Sequence, residues 1–122
     1  MNGELIHFEI PADDVQKIAD FYRNVLGWKI ESSPEFEGYL MVTTSGREDA
    51  VEGGIMKKQM PQQTGLNYYE VDSIEDFNSK VKENGGQVLM EKMPVPKMGF
   101  FSVCLDPEGN PVGSWLTDEN AS

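Results

Sequence analysis

Ile6, Phe8 and Ile10 alternate with Leu5, His7 and Glu9, a period of two that predicts a strand over residues 5–10. Pro11 is expected to stop its ladder. Val15, Ile18, Tyr22 and Val25/Leu26 then recur at helical spacing and leave Gln16, Lys17, Asp20 and Arg23 to water. Asp13 or Asp14 caps that helix, Asp13 and Gln16 having capping-box spacing, and Gly27 suits the left-handed residue that ends it. Short strands follow at 28–31, 39–44 and 51–57, separated by turns. Gly53-Gly54 lies inside the last of these, where glycine marks a bulge or a close approach. Lys58 to Gly65 has linker composition.

The second half repeats the first. It predicts a strand at 67–71, a helix capped by Ser73 with Ile74, Phe77 and Val81 on one face, and a Gly85-Gly86 stop. A return strand at 87–91, a Met- and Pro-rich loop at 92–99, a strand at 100–105, a turn at 106–110 and a strand at 112–116 complete it. Val15, Ile18, Tyr22 and Gly27 fall on Ile74, Phe77, Val81 and Gly86 at a constant offset of 59, as Gly54 falls on Gly113. Phe8-Glu9-Ile10 falls on Tyr69-Glu70-Val71 at 61, which makes the first strand-to-helix loop two residues longer. This is an internal duplication of a βαβββ unit. The expected fold class is α+β: two tandem units, 1–57 and 66–122 joined by 58–65, within one domain and with curved mixed sheets around a shared bowl. The helix stripes should be buried, and His7, Glu9, Tyr68 and Glu70 should line the opposite sheet faces.

At 122 residues the chain is long enough for a core of its own. Its net charge of -11 repels phosphate backbones, so nucleic acid is not an expected partner. No apolar run approaches a membrane span, no signal-peptide core follows Met1, and Cys104 has no second cysteine to pair with. These features predict a cytoplasmic protein, and Cys104 reads as buried and inert.

His7, the run from Asp14 through Phe21-Tyr22 to Leu26-Gly27-Trp28, Val71-Asp72, Gly85-Gly86 and Asp106-Pro-Glu-Gly-Asn110 together resemble the vicinal oxygen chelate superfamily. This is the group of glyoxalase I, the bleomycin- and fosfomycin-resistance proteins and the extradiol dioxygenases. The resemblance covers essentially the whole chain and is nearest a bacterial glyoxalase-like subgroup. It implies the bowl, homodimerisation, and in the group's metalloenzymes a divalent ion held by a His or Gln from each first strand and a Glu from each last strand. Carried over residue by residue, the ligand positions are His7, Gly54, Leu66 (or Asn67 if the register slips by one) and Gly113. One donor in four is retained, and an ion normally needs three or four. No cofactor is therefore expected.

The leading functional expectation is a metal-free protein that holds a small apolar or aromatic molecule. Its ligand-binding residues would be His7, Tyr39, Met41, Met56, Tyr68, Phe101 and Trp115, with Met93 and Met98 on a covering loop. The alternative is a metal-dependent lyase or isomerase of the glyoxalase I type, or a dioxygenase-related activity. It would use Glu9 and Glu70 as acid–base groups or as improvised ligands beside His7. A third reading is a non-catalytic regulatory or assembly domain that kept the fold and lost the site.

Overall fold

The computed structural model describes residues 3–122. The elements run β1 (Glu4–Ala12), α1 (Val15–Leu26), β2 (Lys29–Ser32), β3 (Tyr39–Thr43), β4 (Glu52–Lys57), β5 (Leu66–Glu70), α2 (Ile74–Glu83), β6 (Gln87–Val95), β7 (Gly99–Leu105) and β8 (Pro111–Thr117). The fold is α+β. The chain divides into two compact units, His7–Gly65 and Leu66–Ser122, the second of which also takes residues 3–6. Among the described residues no helix is long and apolar enough to cross a membrane.

In the His7–Gly65 unit the strand order is β2-β3-β4-β1, antiparallel except for the parallel β1–β4 pair. Asp14 caps α1 by accepting from the Lys17 amide at 3.1 Å, so the cap is Asp14 rather than a box built on Asp13. Gly27 closes the helix at φ 72°, and its amide donates to the Arg23 carbonyl at 3.0 Å. Ala19, Ile30, Leu40, Val42 and Ile55 are buried, and Phe8, Ile10, Val15, Ile18, Tyr22 and Trp28 pack against them. Tyr22 stacks on Trp28 with ring centroids 4.9 Å apart. The stripe thus faces the core, but its last positions do not. Val25 and Leu26 are 60% and 54% exposed. Arg23 is partly exposed, as expected of that face: it bonds Asp20 at the surface and also donates to the Ile30 carbonyl at 2.7 Å.

Pro11 does not stop its ladder. The β1–β4 pairing continues through Pro11↔Met56 to Ala12↔Lys57, and the Ala12 carbonyl accepts from the Lys58 amide at 2.9 Å. Proline lacks only its own N–H; its neighbours still bond on either side.

In the second unit the order is β5-β8-β7-β6, with β5–β8 parallel. Ser73 caps α2 by accepting from the Asp76 amide. Ile74 is fully buried, while Phe77 and Val81 are half-buried. The sequence Asp106-Pro-Glu-Gly-Asn110 is a locked turn. Asp106 accepts from the Glu108 and Asn110 amides and from the Asn110 side chain, which holds its carboxyl below the ordinary range. The expected loop at 92–99 is instead mostly strand. β6 runs on to Val95 and pairs with β7 through Val95↔Gly99, with two register shifts on the way. Pro94 is tolerated there because β6 ends its unit's strand order.

Register also corrects the duplication. Glu9 stands opposite Gly54, and Tyr68 stands opposite Gly113. Both pairs of equivalents, Glu9 with Tyr68 and Gly54 with Gly113, are 59 apart, as are the caps Asp14 and Ser73. The first strands therefore follow the helices' offset, not 61, and there is no longer loop. Phe8-Glu9-Ile10 corresponds to Asn67-Tyr68-Tyr69, and Glu70 corresponds to Pro11. A slide of two residues keeps every side chain on its own face, so alternation alone does not reveal it.

Candidate functional site

β1, β3 and β4 each turn every second residue away from α1. On the core side stand Phe8, Ile10, Leu40, Val42 and Ile55. On the other side, register sets out rows. Glu52 lies opposite His7 and, through Thr43, in line with Lys29. The next row runs Glu9, Gly54, Met41, Glu31. The third holds Met56 opposite Tyr39.

The centre of this face is a hydrogen-bonded chain. Tyr39 Oη lies 2.8 Å from His7 Nε2 and 3.2 Å from Glu9 Oε2, and His7 Nε2 is 4.0 Å from the same carboxylate oxygen. Burial pushes the His7 pKa down, so the ring is neutral at pH 7. A carboxylate only accepts, so between Tyr39 and Glu9 the hydroxyl is the donor, while at the 2.8 Å contact the imidazole tautomer sets which of His7 and Tyr39 gives the proton.

Gly54 explains why the phenol can lie there. A Cβ at residue 54 would run into Cζ and Oη of Tyr39. The position at which metalloenzymes of the resembled superfamily carry a glutamate is therefore filled by the Tyr39 ring. Gly113 is similar: a Cβ there would lie 2.5 Å from Cδ1 of Tyr68. Leu66, the remaining ligand position, offers no donor, and the register places it without a slip to Asn67. Among the described residues no group of three His, Cys, Asp or Glu side chains comes together as a metal site would need. The residues at these positions do not fit a divalent ion.

Of the expected ligand-binding residues, the structure brings His7, Tyr39, Met41 and Met56 onto one face of the first unit, with Glu9 among them. Met41 is 37% exposed there. Tyr68, Phe101 and Trp115 share one face of the second unit with Glu70. Tyr68 is buried and meets Phe101 edge-on at 6.3 Å, and Glu70 lies opposite Trp115. Met93 is not on a covering loop but in β6, where it pairs with Phe101; Met98 lies in the turn after it, and both are 44% exposed. Glu9 and Glu70 are not duplicates of one another, as the register shows. Cys104 is fully buried, and desolvation raises its pKa.

Glu52 and Glu31 escaped the reading of the sequence. Their signal was the alternation Glu52-Gly54-Met56 and Lys29-Glu31, which becomes informative only when register sets it beside His7 and Glu9. A buried polar cluster under α2, Asn78 with Ser102 and Ser114, was also missed, because serine and asparagine inside a strand or helix read as solvent-facing.

Comparison with known proteins agrees with this architecture. A family model described as bleomycin resistance protein-like N-terminal matches residues 4–45. A glyoxylase-like domain-containing protein of Didymella fabae is 30% identical over 90% of this chain and 91% of its own. A lactoylglutathione lyase of Escherichia coli O157:H7 is 31% identical over 86% of each chain. A solved glyoxalase/bleomycin resistance protein/dioxygenase superfamily member from Vibrio splendidus 12B01 superposes with a TM-score of 0.69 at 15% identity, covering 93% of this chain and 98% of that one. With its duplicated βαβββ units and glycines at two ligand positions, the chain belongs to the glyoxalase/bleomycin-resistance/dioxygenase superfamily, the vicinal oxygen chelate group.

Proposed function

We propose that this protein binds a small apolar or aromatic molecule without a metal, by sequestration rather than bond-making. The observation that carries this reading is Tyr39 lying over Gly54, bonded to His7 and Glu9 where a metal-ligating carboxylate would stand. Tyr39, Met41 and Met56 offer ring and thioether surface beside it, which suits an adaptable apolar contact. Tyr68, Phe101 and Trp115 provide comparable aromatic surface in the second unit. The alternative, a metal-dependent lyase or isomerase built from His7 with Glu9 and Glu70, has Tyr39 Oη interposed between His7 and Glu9.

The test is thermal shift of tag-free protein with Ni, Zn and Mn and, separately, with a panel of small aromatic compounds. A ligand at about 100 times its dissociation constant adds about 2.7 kcal/mol, so binding is readily seen. The expected result is a shift with aromatic compounds and none with metals. A stoichiometric metal that is lost in His7→Ala overturns the reading in favour of the lyase.

The protein acts in this reading as a homodimer. Phe21, Val25 and Leu26 are 54%, 60% and 54% exposed on α1, an apolar stripe that a second copy would cover. Sedimentation equilibrium should give twice the monomer mass, and Phe21→Glu with Leu26→Glu should return the monomer. A wild-type monomer at all concentrations sinks the dimer.

A further inference from the structure

Two irregularities in β6 decide what the second unit shows on the face turned away from α2. Met90 and Met93, three residues apart, would point to opposite faces of a regular strand, as would the adjacent Glu91 and Lys92. The pairing with β7 is not regular. Val88 stands opposite Cys104 but Met90 opposite Val103, and Met93 stands opposite Phe101, so β6 takes one extra residue twice. The second bulge brings Met90 and Met93 onto one face, where they are 41% and 44% exposed. It also turns both charges to the α2 side. Lys92 Nζ lies 3.1 Å from Glu75 Oε2 and 4.4 Å from the centre of the Phe100 ring. Glu91 accepts from Asn78 Nδ2 at 3.2 Å and lies 3.6 Å from Lys82 Nζ.

Across β7 and β8 the two central rows of that face are Met93, Phe101, Trp115 and Met90, Val103, Gly113. The rows on either side, from Gln87 to Pro111 and from Val95 to Thr117, add no ionisable side chain. The Trp115 indole lies over Gly99, where a Cβ would come within 2.7 Å of Cζ2, so glycine lets the ring lie down on the sheet. Its one donor, Nε1, is given to Thr117 Oγ1 at 3.0 Å. On the β5 side Glu70 stands opposite Trp115 and Tyr68 opposite Gly113, both engaged in interactions of their own. We propose that the two central rows hold the rings of the bound molecule, an uncharged aromatic compound of two or more rings that lies between the thioethers of Met90 and Met93 and the rings of Phe101 and Trp115. Three strands at about 4.8 Å spacing span roughly 10 Å, the breadth of a fused or linked pair of rings. Resting on the aromatic-binding reading, this assignment names Met90 and Met93 as the residues that set ligand size, because unbranched thioethers adapt to a ring and attract it. A charged group would lose its water against these rows and gain no partner from them.

The probe is N-phenyl-1-naphthylamine, an uncharged aromatic compound whose fluorescence rises on leaving water, titrated into the full chain. Brief exposure to hydrogen peroxide then locates it: peroxide passes one oxygen to each accessible thioether and leaves as water, and mass spectrometry of peptides reads the sulfoxides. Saturating probe is expected to slow oxidation of Met90 and Met93 several-fold and to leave Met60, 52% exposed in the segment after β4, unchanged. Met93→Gln keeps the length of the side chain at an exposed position, so the fold should stand by circular dichroism. It should weaken probe binding about tenfold, the scale on which a partly buried apolar side chain counts. Met93→Leu should stay within about threefold of wild type, since it remains apolar. A bound probe with Met90 and Met93 oxidised at unchanged rates, or a folded M93Q that binds as tightly as wild type, overturns the inference and leaves the aromatic-binding reading standing. Protection of Met90 and Met93 that grows with protein concentration in the absence of probe assigns the face to a second copy and overturns it as well. A probe that does not bind counts against both.

Discussion

Gly53→Ala is expected to destabilise the protein by about 3 kcal/mol, at the upper end of what overpacking a core costs, read as a lowered urea midpoint with an unchanged slope. Its Cβ would lie 2.5 Å from Cε2 and Cζ of Phe8. Phe8 packs on Trp28, with ring centroids 5.5 Å apart, and against the core under α1, so moving the ring disturbs both contacts. The neighbouring change, Gly54→Ala, should behave differently although its clash is nominally worse. It strikes the far end of Tyr39, on the face away from α1, and that side chain can swing aside. The cost is the pair of bonds to His7 and Glu9, so ligand binding should fall further than stability does. Equal destabilisation by the two alanines would mean that the face carrying Tyr39 is packed as rigidly as the core.

Asn78→Ala is expected to cost about 3 kcal/mol by the same measurement, from two orphaned buried donors and a small cavity. Asn78 Oδ1 accepts from Ser102 Oγ at 2.8 Å and from Cys104 Sγ at 3.5 Å, while Nδ2 donates to Glu91 at 3.2 Å. Since Ser102 gives its proton to Asn78, the 2.6 Å contact with Ser114 must be a donation from Ser114. The network is complete, and among the described residues no buried side-chain nitrogen or oxygen lacks a partner. Combining Asn78→Leu with Ser102→Ala and Ser114→Ala removes both hydroxyls together with the Asn78 acceptor, leaves only the weak Cys104 S–H donor behind, and should recover most of the loss, because matched removal costs far less than a broken pair. A triple variant as unstable as the single one would show that the cost lies in packing instead.

This polar cluster also shows where reading the sequence stops. Ile74, Phe77 and Val81 announced the inner face of α2, whereas Asn78, which sits deeper than Phe77 or Val81, carried no sign of it. Asparagine is usually exposed, and only a partner such as Ser102, 24 residues away, makes its burial tolerable. β6 shows the same limit. Its methionines and Pro94 resemble a loop locally, and pairing with β7 decides otherwise.

Most strands and both helices, the Ser73 cap, a first cap at Asp13 or Asp14 and the inward stripe of each helix were legible in the order of the residues, and the equal spacing of the two halves gave the duplication. The elements rest on a period of two or 3.6 residues or on the chemistry of single side chains, which are local, whereas reading residues 54 and 113 as ligand positions came from the family resemblance. Which residue of one strand lies opposite which residue of the next was settled only by folding. Alternation is unchanged by a slide of two, so nothing in either strand reveals that Glu9 faces Gly54 or that Tyr68, not Glu70, is its counterpart. The chain from His7 through Tyr39 to Glu9 depends on that register and on a glycine at residue 54 that leaves room for a ring 15 residues away in sequence.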